Sequence, residues 1–285
     1  MRDVFTPNAH RLFRSKAYLL RVQEPFTLVS GQISPAYMDC ARLQNYPAEW
    51  SGANDDYAEL VKEKTGGNVD RIAGGVVRDL PFSIPVAERL HLPHVIIREQ
   101  EKHHGVGGRL VANIYPRERV AIVSDLMTSG KSSLEWIQAV VDAGGEPKYV
   151  FTFFDRCQGG EEKIRAALAK TGRETTMASV VQMDQRFYQT GLDGGHISRE
   201  EFDELHRYLE DPKAWGRNYL RKTPEFLTAR LKVVDGKLTD GEGIRVLIDG
   251  YPDMIEELAP RLREALHRAE LKEEMPAIAF SPGMS

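Results

Sequence analysis

The most informative segment of the chain is Val120-Ala-Ile-Val-Ser-Asp-Leu-Met-Thr-Ser-Gly-Lys-Ser-Ser133, which combines an apolar strand, a turn of small polar residues and the start of a helix. Its continuous apolar residues are typical of a strand that is covered on both faces. The turn at residues 128–132 would leave backbone N–H groups unpaired at a helix N-terminus and add hydroxyl donors, which suits a phosphate group. An ordinary capped helix start is the alternative interpretation.

The polar residues of this segment also limit which nucleotide site it can form. Asp125 ends the strand, where its carboxylate could accept hydrogen bonds from sugar hydroxyls or face a metal ion. Gly130-Lys131-Ser132 matches the end of a Walker A loop, but that loop needs a glycine five residues before Gly130, where Asp125 stands. The sequence therefore excludes a Walker A nucleotide site.

Short apolar runs alternate with helical segments from about residue 70 to residue 183. Besides the strand at 119–124, strands are predicted over 70–75, 93–97, 149–154 and 176–183, and helices over 82–90, 132–143 and 161–170. This alternation predicts an α/β protein with a central parallel sheet flanked by helices. Ligands bind such sheets at the carboxyl ends of the strands. Residues 98–109 are polar and hold three glycines, which predicts a mobile loop at that edge.

The alternation of apolar strands and helices does not continue beyond about residue 190. We expect residues 1–190 to form the α/β core with a mixed N-terminal segment, and residues 191–285 to form a C-terminal α+β extension of unknown role. Within the extension, a capped helix is predicted over 198–209, a hairpin around Asp235-Gly236 and a charged helix over 252–274.

Composition excludes several broad classes of protein. The 285 residues include 38 Lys and Arg against 42 Asp and Glu, a formal net charge of −4, which gives no general attraction to nucleic acid or to an anionic membrane. No apolar run approaches the ~18–20 residues that a membrane-spanning helix needs. The N-terminus lacks the apolar core of a secretory signal, and Cys40 and Cys157 are too few for a disulfide framework, so we expect a cytoplasmic protein with reduced thiols.

Segment 120–133 resembles the phosphoribosyl-diphosphate motif of the type I phosphoribosyltransferases. Three further segments resemble, in chain order, motifs of the orotate phosphoribosyltransferases within that family. They are Pro25-Phe-Thr-Leu-Val-Ser-Gly-Gln-Ile-Ser-Pro-Ala-Tyr-Met-Asp39, Arg98-Glu-Gln-Glu-Lys-His-His-Gly-Val-Gly-Gly108 and Asp155-Arg-Cys-Gln-Gly-Gly160. The resemblance covers about residues 20–185. It implies the type I phosphoribosyltransferase fold, with an N-terminal hood over the sheet.

The resemblance also implies an activity. An enzyme of this family transfers the 5-phosphoribosyl group from phosphoribosyl diphosphate to orotate, and it releases orotidine 5′-phosphate and pyrophosphate in pyrimidine nucleotide synthesis. Mg²⁺ would be carried mainly by the substrate, with Asp125 as the candidate protein ligand. In the family, the loop that matches residues 98–109 reaches the site of the neighbouring subunit, which implies a homodimer.

Residue roles follow by matching positions in the motifs. The catalytic candidates are Lys102 and His104, which would serve the leaving pyrophosphate, and Asp125, which would serve the ribose. The substrate-binding candidates are Arg98, Thr128, Ser129, Gly130, Lys131, Ser132, Arg156 and Tyr37. Residues 128–132 would hold the 5′-phosphate. Arg156 would hold the carboxylate of orotate in a bidentate pair, or would instead pair with Asp155 or Asp125.

The sequence departs from the family pattern at several charged positions. Glu99 and Val29 each replace a lysine, Gln32 replaces an arginine, and Ser124 replaces the first of two acids; in addition, Asp79-Leu80, preceded by Arg78, replaces a Gly-Gly pair. Glu99 would reverse a charge near a polyanion unless its side chain points outward. Three hypotheses therefore stay open: an active orotate phosphoribosyltransferase, a non-catalytic sensor or partner protein that binds phosphoribosyl diphosphate or a nucleotide, and a phosphoribosyltransferase for a different base.

Overall fold

The computed structural model describes residues 2–102, 108–230, 232–234, 237–239 and 241–260. Its helices are α1 (Phe5–Arg14), α2 (Pro47–Thr65), α3 (Leu80–Leu90), α4 (Lys131–Asp142), α5 (Gly160–Ala169), α6 (Gln185–Asp193), α7 (Arg199–Glu210), α8 (Pro212–Lys222), α9 (Glu225–Thr228) and α10 (Glu242–Arg245). Within these described ranges, no helix has the length and apolar character needed to cross a membrane.

The strands are β1 (Tyr18–Leu20), β2 (Phe26–Thr27), β3 (Ile33–Ser34), β4 (Ala36–Met38), β5 (Arg71–Gly75), β6 (His94–Lys102), β7 (Gly108–Val111), β8 (Arg119–Met127), β9 (Glu146–Asp155), β10 (Thr176–Gln182), β11 (Lys232–Val234) and β12 (Lys237–Thr239). Six of them form the main sheet in the order β10-β9-β8-β5-β6-β7. Neighbouring strands are parallel, except that β7 is antiparallel to β6. The predicted α/β fold with a central parallel sheet is confirmed, and the sheet has one antiparallel strand, β7, at its edge.

Apolar side chains on both faces of the sheet hold the helices against it. Ile122 of β8 belongs to an apolar cluster with Trp136 of α4. Phe153 of β9 lies on the other face, because successive residues of a strand point to opposite sides. Its ring stacks on Phe82 of α3 with centroids 4.8 Å apart, and it lies 5.9 Å from the ring of Tyr57 in α2. The continuous apolar runs of β8 and β9 follow from this double coverage.

The hairpin of β6 and β7 corrects the prediction of a loop over residues 98–109. β6 continues to Lys102 and β7 begins at Gly108, while residues 103–107 lie outside the described residues. Two arginines stabilise the pairing: the Arg98 guanidinium donates to the Gly108 carbonyl at 3.2 Å, and Arg109 Nε donates to the Arg98 carbonyl at 3.2 Å. A polar segment can form strands here because β7 lies at the edge of the sheet, where burial on both faces is not required.

The chain divides into two compact units, and their limits differ from the predicted boundary after residue 190. The first unit holds the main sheet and comprises residues up to Tyr18 and residues Met38–Ser198. The second unit comprises Leu19–Tyr37 and the described residues from Arg199 onward. The segment predicted as part of the core's N-terminal hood therefore groups with the C-terminal residues.

Apolar packing explains that grouping. Ile33 of β3 belongs to an apolar cluster with Trp215 and Tyr251, and its N–H donates to the Tyr251 hydroxyl at 3.2 Å. Gly31 has a φ of +76°, and a Cβ atom there would lie 2.6 Å from the Arg245 carbonyl oxygen. The second unit combines helices α7–α10 with the antiparallel pair β11–β12, as expected for an α+β extension.

One half-buried histidine in the first unit, His94, gives a prediction about stability. His94 Nε2 lies 3.0 Å from the Ser83 hydroxyl. Burial, with a smaller contribution from the Arg71 charge, lowers the pKa of His94 from 6.5 to about 4. The unfolded chain therefore binds more protons than the folded chain between these pH values. We expect the free energy of unfolding to fall by about 1–3 kcal/mol as pH drops through this window.

Urea unfolding at pH 7 and pH 4.5 measures this effect. The His94→Gln variant should lose that part of the pH dependence. Ser83→Ala is the matched control: it removes the hydroxyl but keeps the imidazole, so it should lower stability at pH 7 and retain the slope. An unchanged slope in His94→Gln would show that His94 does not cause it.

Candidate active site

The ends of β8 and β9 bring together the central residues of the predicted site. β8 ends at Met127, and residues 128–130 lead directly into α4. β9 ends at Asp155, and the Arg156 N–H donates to the Met127 carbonyl at 3.0 Å. Arg156 therefore lies beside the turn that follows β8. The arrangement matches the position at which parallel α/β sheets bind ligands.

The turn at residues 128–132 forms an open helix start. Gly130 is the N-cap residue of α4, with a φ of +72°, and no side chain of the described residues caps the helix. Within the described ranges, no protein acceptor is bonded to the backbone N–H groups of residues 129–132. Ser129, Lys131 and Ser132 are exposed, and Thr128 is half-buried. The positive end of the helix dipole and these free donors make the turn suitable for an anion.

A close approach between two glycines holds this turn in place. A Cβ atom on Gly130 would lie 2.7 Å from the Gly160 carbonyl oxygen, and a Cβ atom on Gly160 would lie 2.8 Å from the Thr128 carbonyl oxygen. Both distances are too short for a side chain. The starts of α4 and α5 can therefore meet only because these two positions carry no side chain.

Asp125 lies where β8 meets the loop that follows β5. Its N–H donates to Asp79 Oδ1 at 3.1 Å, and its carbonyl accepts from Cys40 Sγ at 3.6 Å. Burial raises the pKa of the Asp125 carboxyl, and the nearby Arg78 guanidinium opposes this rise. Burial and the charge of Asp125 raise the pKa of Asp79 to about 7. A ligand that supplies hydroxyl donors or positive charge would stabilise Asp125 as a carboxylate.

Arg156 has no carboxylate partner in the described part of the chain, so the predicted alternative of an ion pair with Asp155 or Asp125 is not found. The Asp155 carboxylate instead accepts from the Cys157 N–H at 2.9 Å. Arg156 Nε is buried and has no hydrogen-bond partner among the residues that the structure describes. A buried N–H group without a partner is costly, and a planar carboxylate is the acceptor that best fits a guanidinium.

The structure shows where the departures from the family pattern lie. Ser124 Oγ lies 3.2 Å from the Phe151 carbonyl oxygen and 3.1 Å from Thr152 Oγ1, so this hydroxyl binds to β9. Glu99 is exposed on β6, and Val29 is 95% exposed in the second unit. Gln32 is half-buried there, and its carbonyl accepts from the Leu28 N–H at 2.8 Å.

The remaining predicted residues do not all lie with this group. Arg98 is half-buried in β6, two strands away from β8 in the sheet. Lys102 ends β6, and the structure describes its backbone only; His104 lies outside the described residues. Tyr37 lies in the second unit, where its ring is 5.5 Å from that of Phe26. The roles of these four residues stay predictions.

Sequence reasoning missed two residues that organise the site, Asp79 and Trp136. Trp136 Nε1 donates to Asp79 Oδ2 at 3.1 Å. A Cβ atom on Gly75 would lie 2.2 Å from the Trp136 ring, and the Arg109 guanidinium lies 5.6 Å from the ring centroid. The available signal was Gly74-Gly75 at the end of a buried strand, since paired glycines there often indicate that a large side chain approaches the backbone.

The residues present fit a metal ion that arrives with its substrate. In the described ranges, no group of three or more His, Cys, Asp or Glu side chains is arranged to hold a metal ion. Mg²⁺ usually binds through one or two carboxylates together with substrate phosphates and waters. Asp125 supplies one carboxylate at this edge, which meets that requirement only if the ligand supplies the other oxygens.

Comparison with known proteins identifies the family, although no protein-family model matches the chain. The orotate phosphoribosyltransferase of Rhizobium johnstonii is 30% identical over 214 residues, which cover 74% of this chain and 90% of that protein. The chain belongs to the orotate phosphoribosyltransferase family. The orotate phosphoribosyltransferase of Listeria monocytogenes serotype 4b is 29% identical over 209 residues, covering 73% of this chain and 97% of that protein.

Solved structures agree with this family. UMP synthase from Leishmania donovani matches with a TM-score of 0.60 and 25% identity, over 72% of this chain. The match spans 42% of that longer protein. Orotate phosphoribosyltransferase from Aeropyrum pernix matches with a TM-score of 0.51 and 25% identity, over 67% of this chain and 99% of that protein. The family resemblance seen in the four sequence segments is confirmed.

Proposed function

We propose that the chain transfers the 5-phosphoribosyl group from phosphoribosyl diphosphate to orotate, forming orotidine 5′-phosphate and pyrophosphate in pyrimidine nucleotide synthesis. One observation carries the proposal: in a member of this family, Asp125, the open turn at 128–132 and Arg156, whose buried Nε has no hydrogen-bond partner in the described part of the chain, lie at or near the ends of two adjacent strands. The turn suits a phosphate, Asp125 suits a sugar hydroxyl and Arg156 suits a carboxylate, so the three groups correspond to three parts of the product.

The 5′-phosphate would bind in the turn. Backbone N–H groups of residues 129–132 and the hydroxyls of Thr128, Ser129 and Ser132 supply its donors, and the dipole of α4 adds a favourable field. Lys131 is 84% exposed, and its Nζ lies 4.0 Å from a Glu135 carboxylate oxygen. Such a weak surface pair leaves the lysine able to move toward an anion.

The sugar and the base would be held by Asp125 and Arg156. A carboxylate at position 125 accepts hydrogen bonds from ribose hydroxyls. The guanidinium of Arg156 can donate two parallel hydrogen bonds to the carboxylate of orotate, a contact worth roughly 1.5–3 kcal/mol. Together they would orient the pyrimidine nitrogen toward the anomeric carbon, and correct orientation is a large part of catalysis in two-substrate reactions.

In the transfer step, the pyrimidine nitrogen forms a bond to the anomeric carbon while the bond from that carbon to pyrophosphate breaks. The nitrogen releases its proton, and positive charge develops on the sugar in an oxocarbenium-like transition state. Arg98, Lys102 and His104 would stabilise the negative charge of the departing pyrophosphate.

Mg²⁺ would enter bound to the diphosphate, with Asp125 as the protein carboxylate that faces it. Bound in this way, the ion neutralises part of the charge of the leaving group. The protein's own contribution in this proposal is to position the polyanion.

We further propose a cytoplasmic homodimer in which residues 98–109 contribute to the neighbouring subunit's site. Cys40 and Cys157 are free thiols, as is usual for cytoplasmic proteins. Complementation at low orotate concentration tests the shared site: mixing Lys102→Ala and Arg156→Gln, each impaired under these conditions, should restore part of the activity if each site uses residues of both subunits. A mixture that is no more active than the two variants measured separately would contradict the shared site.

Turnover with a panel of bases separates the three candidate functions. Purified protein is supplied with phosphoribosyl diphosphate and Mg²⁺, and orotate, uracil or adenine is added in turn while base consumption is followed by absorbance. Consumption of orotate alone is the expected result. Consumption of another base in its place would indicate a phosphoribosyltransferase for that base.

A non-catalytic binding protein would give a third outcome. Ser124 is the observation that favours it, because an acidic group of the family pattern is replaced by a hydroxyl that bonds to β9. That function predicts calorimetric binding of phosphoribosyl diphosphate without consumption of any base. It would overturn the transferase proposal and leave the binding site intact.

A further inference from the structure

The carboxyl group of Asp79 joins three separate parts of the first unit. Its Oδ2 accepts from the Gly75 N–H at 3.0 Å and from Trp136 Nε1 at 3.1 Å, and its Oδ1 accepts from the Asp125 N–H at 3.1 Å. The residue is only 7% exposed. The three donors belong to the end of β5, to α4 and to β8, so a single side chain fixes their mutual spacing.

All three partners are N–H groups, which can donate but not accept. An ionised carboxyl is an acceptor with two oxygens and meets this requirement fully, and the three N–H donors favour this ionised form against the burial and the Asp125 charge that raise the pKa of Asp79. An asparagine at the same position would present its own N–H₂ group to at least one of these donors, which would leave buried groups unpaired. The three hydrogen bonds therefore depend on the two acceptor oxygens of the carboxylate. A side chain of the same shape with one acceptor oxygen would not make all three.

The same residue closes the loop between β5 and α3. The bond from the Gly75 N–H spans residues 75–79, and the Asp79 carbonyl accepts from the Phe82 and Ser83 N–H groups at 3.0 and 2.8 Å at the start of α3. Arg78 lies inside this closed loop, and its guanidinium lies 3.4 Å from a carboxylate oxygen of Asp39. The bonds of Asp79 thus hold the backbone on both sides of Arg78, from which its side chain, 62% exposed, extends toward Asp39.

Each part that Asp79 joins carries a group of the proposed site. β8 carries Asp125, α4 begins with the residues of the phosphate turn, and the loop carries Arg78, whose positive charge acts on the Asp125 carboxyl. We propose that Asp79 is a positioning residue for phosphoribosyl diphosphate, which acts by holding Arg78 and Asp125 in the orientation that the polyanion requires. This inference rests on the proposed function, and Asp79 itself touches no substrate in it.

The test compares the Asp79→Asn variant with a control variant, Asp70→Asn, which carries the same substitution. Asp70 immediately precedes the first residue of β5, at the end of the strand away from Asp79, and its carboxylate pairs with Arg119 at 2.7 Å. Calorimetry measures the Kd of phosphoribosyl diphosphate with Mg²⁺, and steady-state kinetics give KM for each substrate, all at a temperature at which circular dichroism shows folded protein. We expect Asp79→Asn to raise the Kd at least about tenfold while KM for orotate stays within about twofold. Asp70→Asn should bind like the wild type.

A general loss of structure would raise both KM values together, so the difference between the substrates identifies a positioning role. A folded Asp79→Asn variant with a Kd within about twofold of the wild type would overturn the inference. If that variant does not fold, the Trp136→Phe variant tests the inference instead, because it removes one of the three N–H donors and keeps most of the aromatic ring. A Kd for phosphoribosyl diphosphate that rises about threefold would support the positioning role, and an unchanged Kd would contradict it.

Measurements of binding and turnover on the wild-type protein distinguish a failure of this inference from a failure of the proposed function. If the wild type binds phosphoribosyl diphosphate but does not consume orotate, the transferase proposal fails, and the Kd comparison still decides on Asp79. If the wild type does not bind phosphoribosyl diphosphate, the proposed function and the role of Asp79 are both overturned.

Discussion

Replacing Gly130 by alanine is expected to weaken the binding of phosphoribosyl diphosphate by about a hundredfold or more. The residue has a φ of +72°, and the added Cβ atom would lie 2.7 Å from the Gly160 carbonyl oxygen. The left-handed conformation costs about 1–2 kcal/mol with a side chain, and the collision forces the turn to move. A displaced turn loses several N–H contacts to the phosphate at once, each worth about 1.5–3 kcal/mol.

Gly172→Ala is the matched control for this variant. Gly172 also has a positive φ, +66°, but a Cβ atom there would have no atom of the described residues within 4 Å. This substitution should cost about 1 kcal/mol of stability and leave the affinity unchanged. Calorimetry measures the Kd of phosphoribosyl diphosphate for the two variants and for the wild type. Equal affinities in both variants would show that the turn at residues 128–132 does not hold the phosphate.

Replacing Arg156 by glutamine is expected to raise KM for orotate by about 10- to 100-fold. The guanidinium has a buried Nε without a partner, and in the described part of the chain no carboxylate is paired with it. Removing one member of a charge-assisted contact to the substrate costs roughly 1.5–3 kcal/mol. KM for phosphoribosyl diphosphate should stay within about twofold, since the phosphate turn is untouched. Initial rates at varied concentrations of each substrate provide both values.

Arg165→Gln controls for the loss of a positive charge near this edge of the sheet. Arg165 lies on α5 and pairs with Glu161 in an exposed i, i+4 arrangement, which contributes little to stability. Its substitution should change neither KM by more than about twofold. If Arg165→Gln and Arg156→Gln have the same effect on KM for orotate, Arg156 does not bind the base.

Much of the fold could be predicted because its signals are local. The continuous apolar residues of β8 and β9 indicate strands that are buried on both faces, and the structure places Phe153 and Ile122 on opposite sides of the sheet. The step from strand to small-residue turn to helix at 120–133 also depends on neighbouring residues alone. For that reason, Asp125 and residues 128–132 were found from the sequence.

Features that depend on distant partners could not be predicted in this way. The strands at Arg98 and Arg109 form through pairing across a hairpin, although the segment has no strand periodicity. Asp79 was noticed only as a departure from the family pattern, because its three donors come from residues 75, 125 and 136. The grouping of Leu19–Tyr37 with the C-terminal residues likewise depends on Tyr251, more than 200 positions away from Ile33.

Formation of orotidine 5′-phosphate by the intact chain is the most direct test of the proposed activity. Labelled orotate is incubated with phosphoribosyl diphosphate and Mg²⁺, and the nucleotide product is separated and counted. The site described here predicts turnover on the order of 1 s⁻¹ or faster, reduced at low orotate concentration in Arg156→Gln. Absence of labelled nucleotide, from a protein that binds phosphoribosyl diphosphate in a calorimeter under the same conditions, would contradict it.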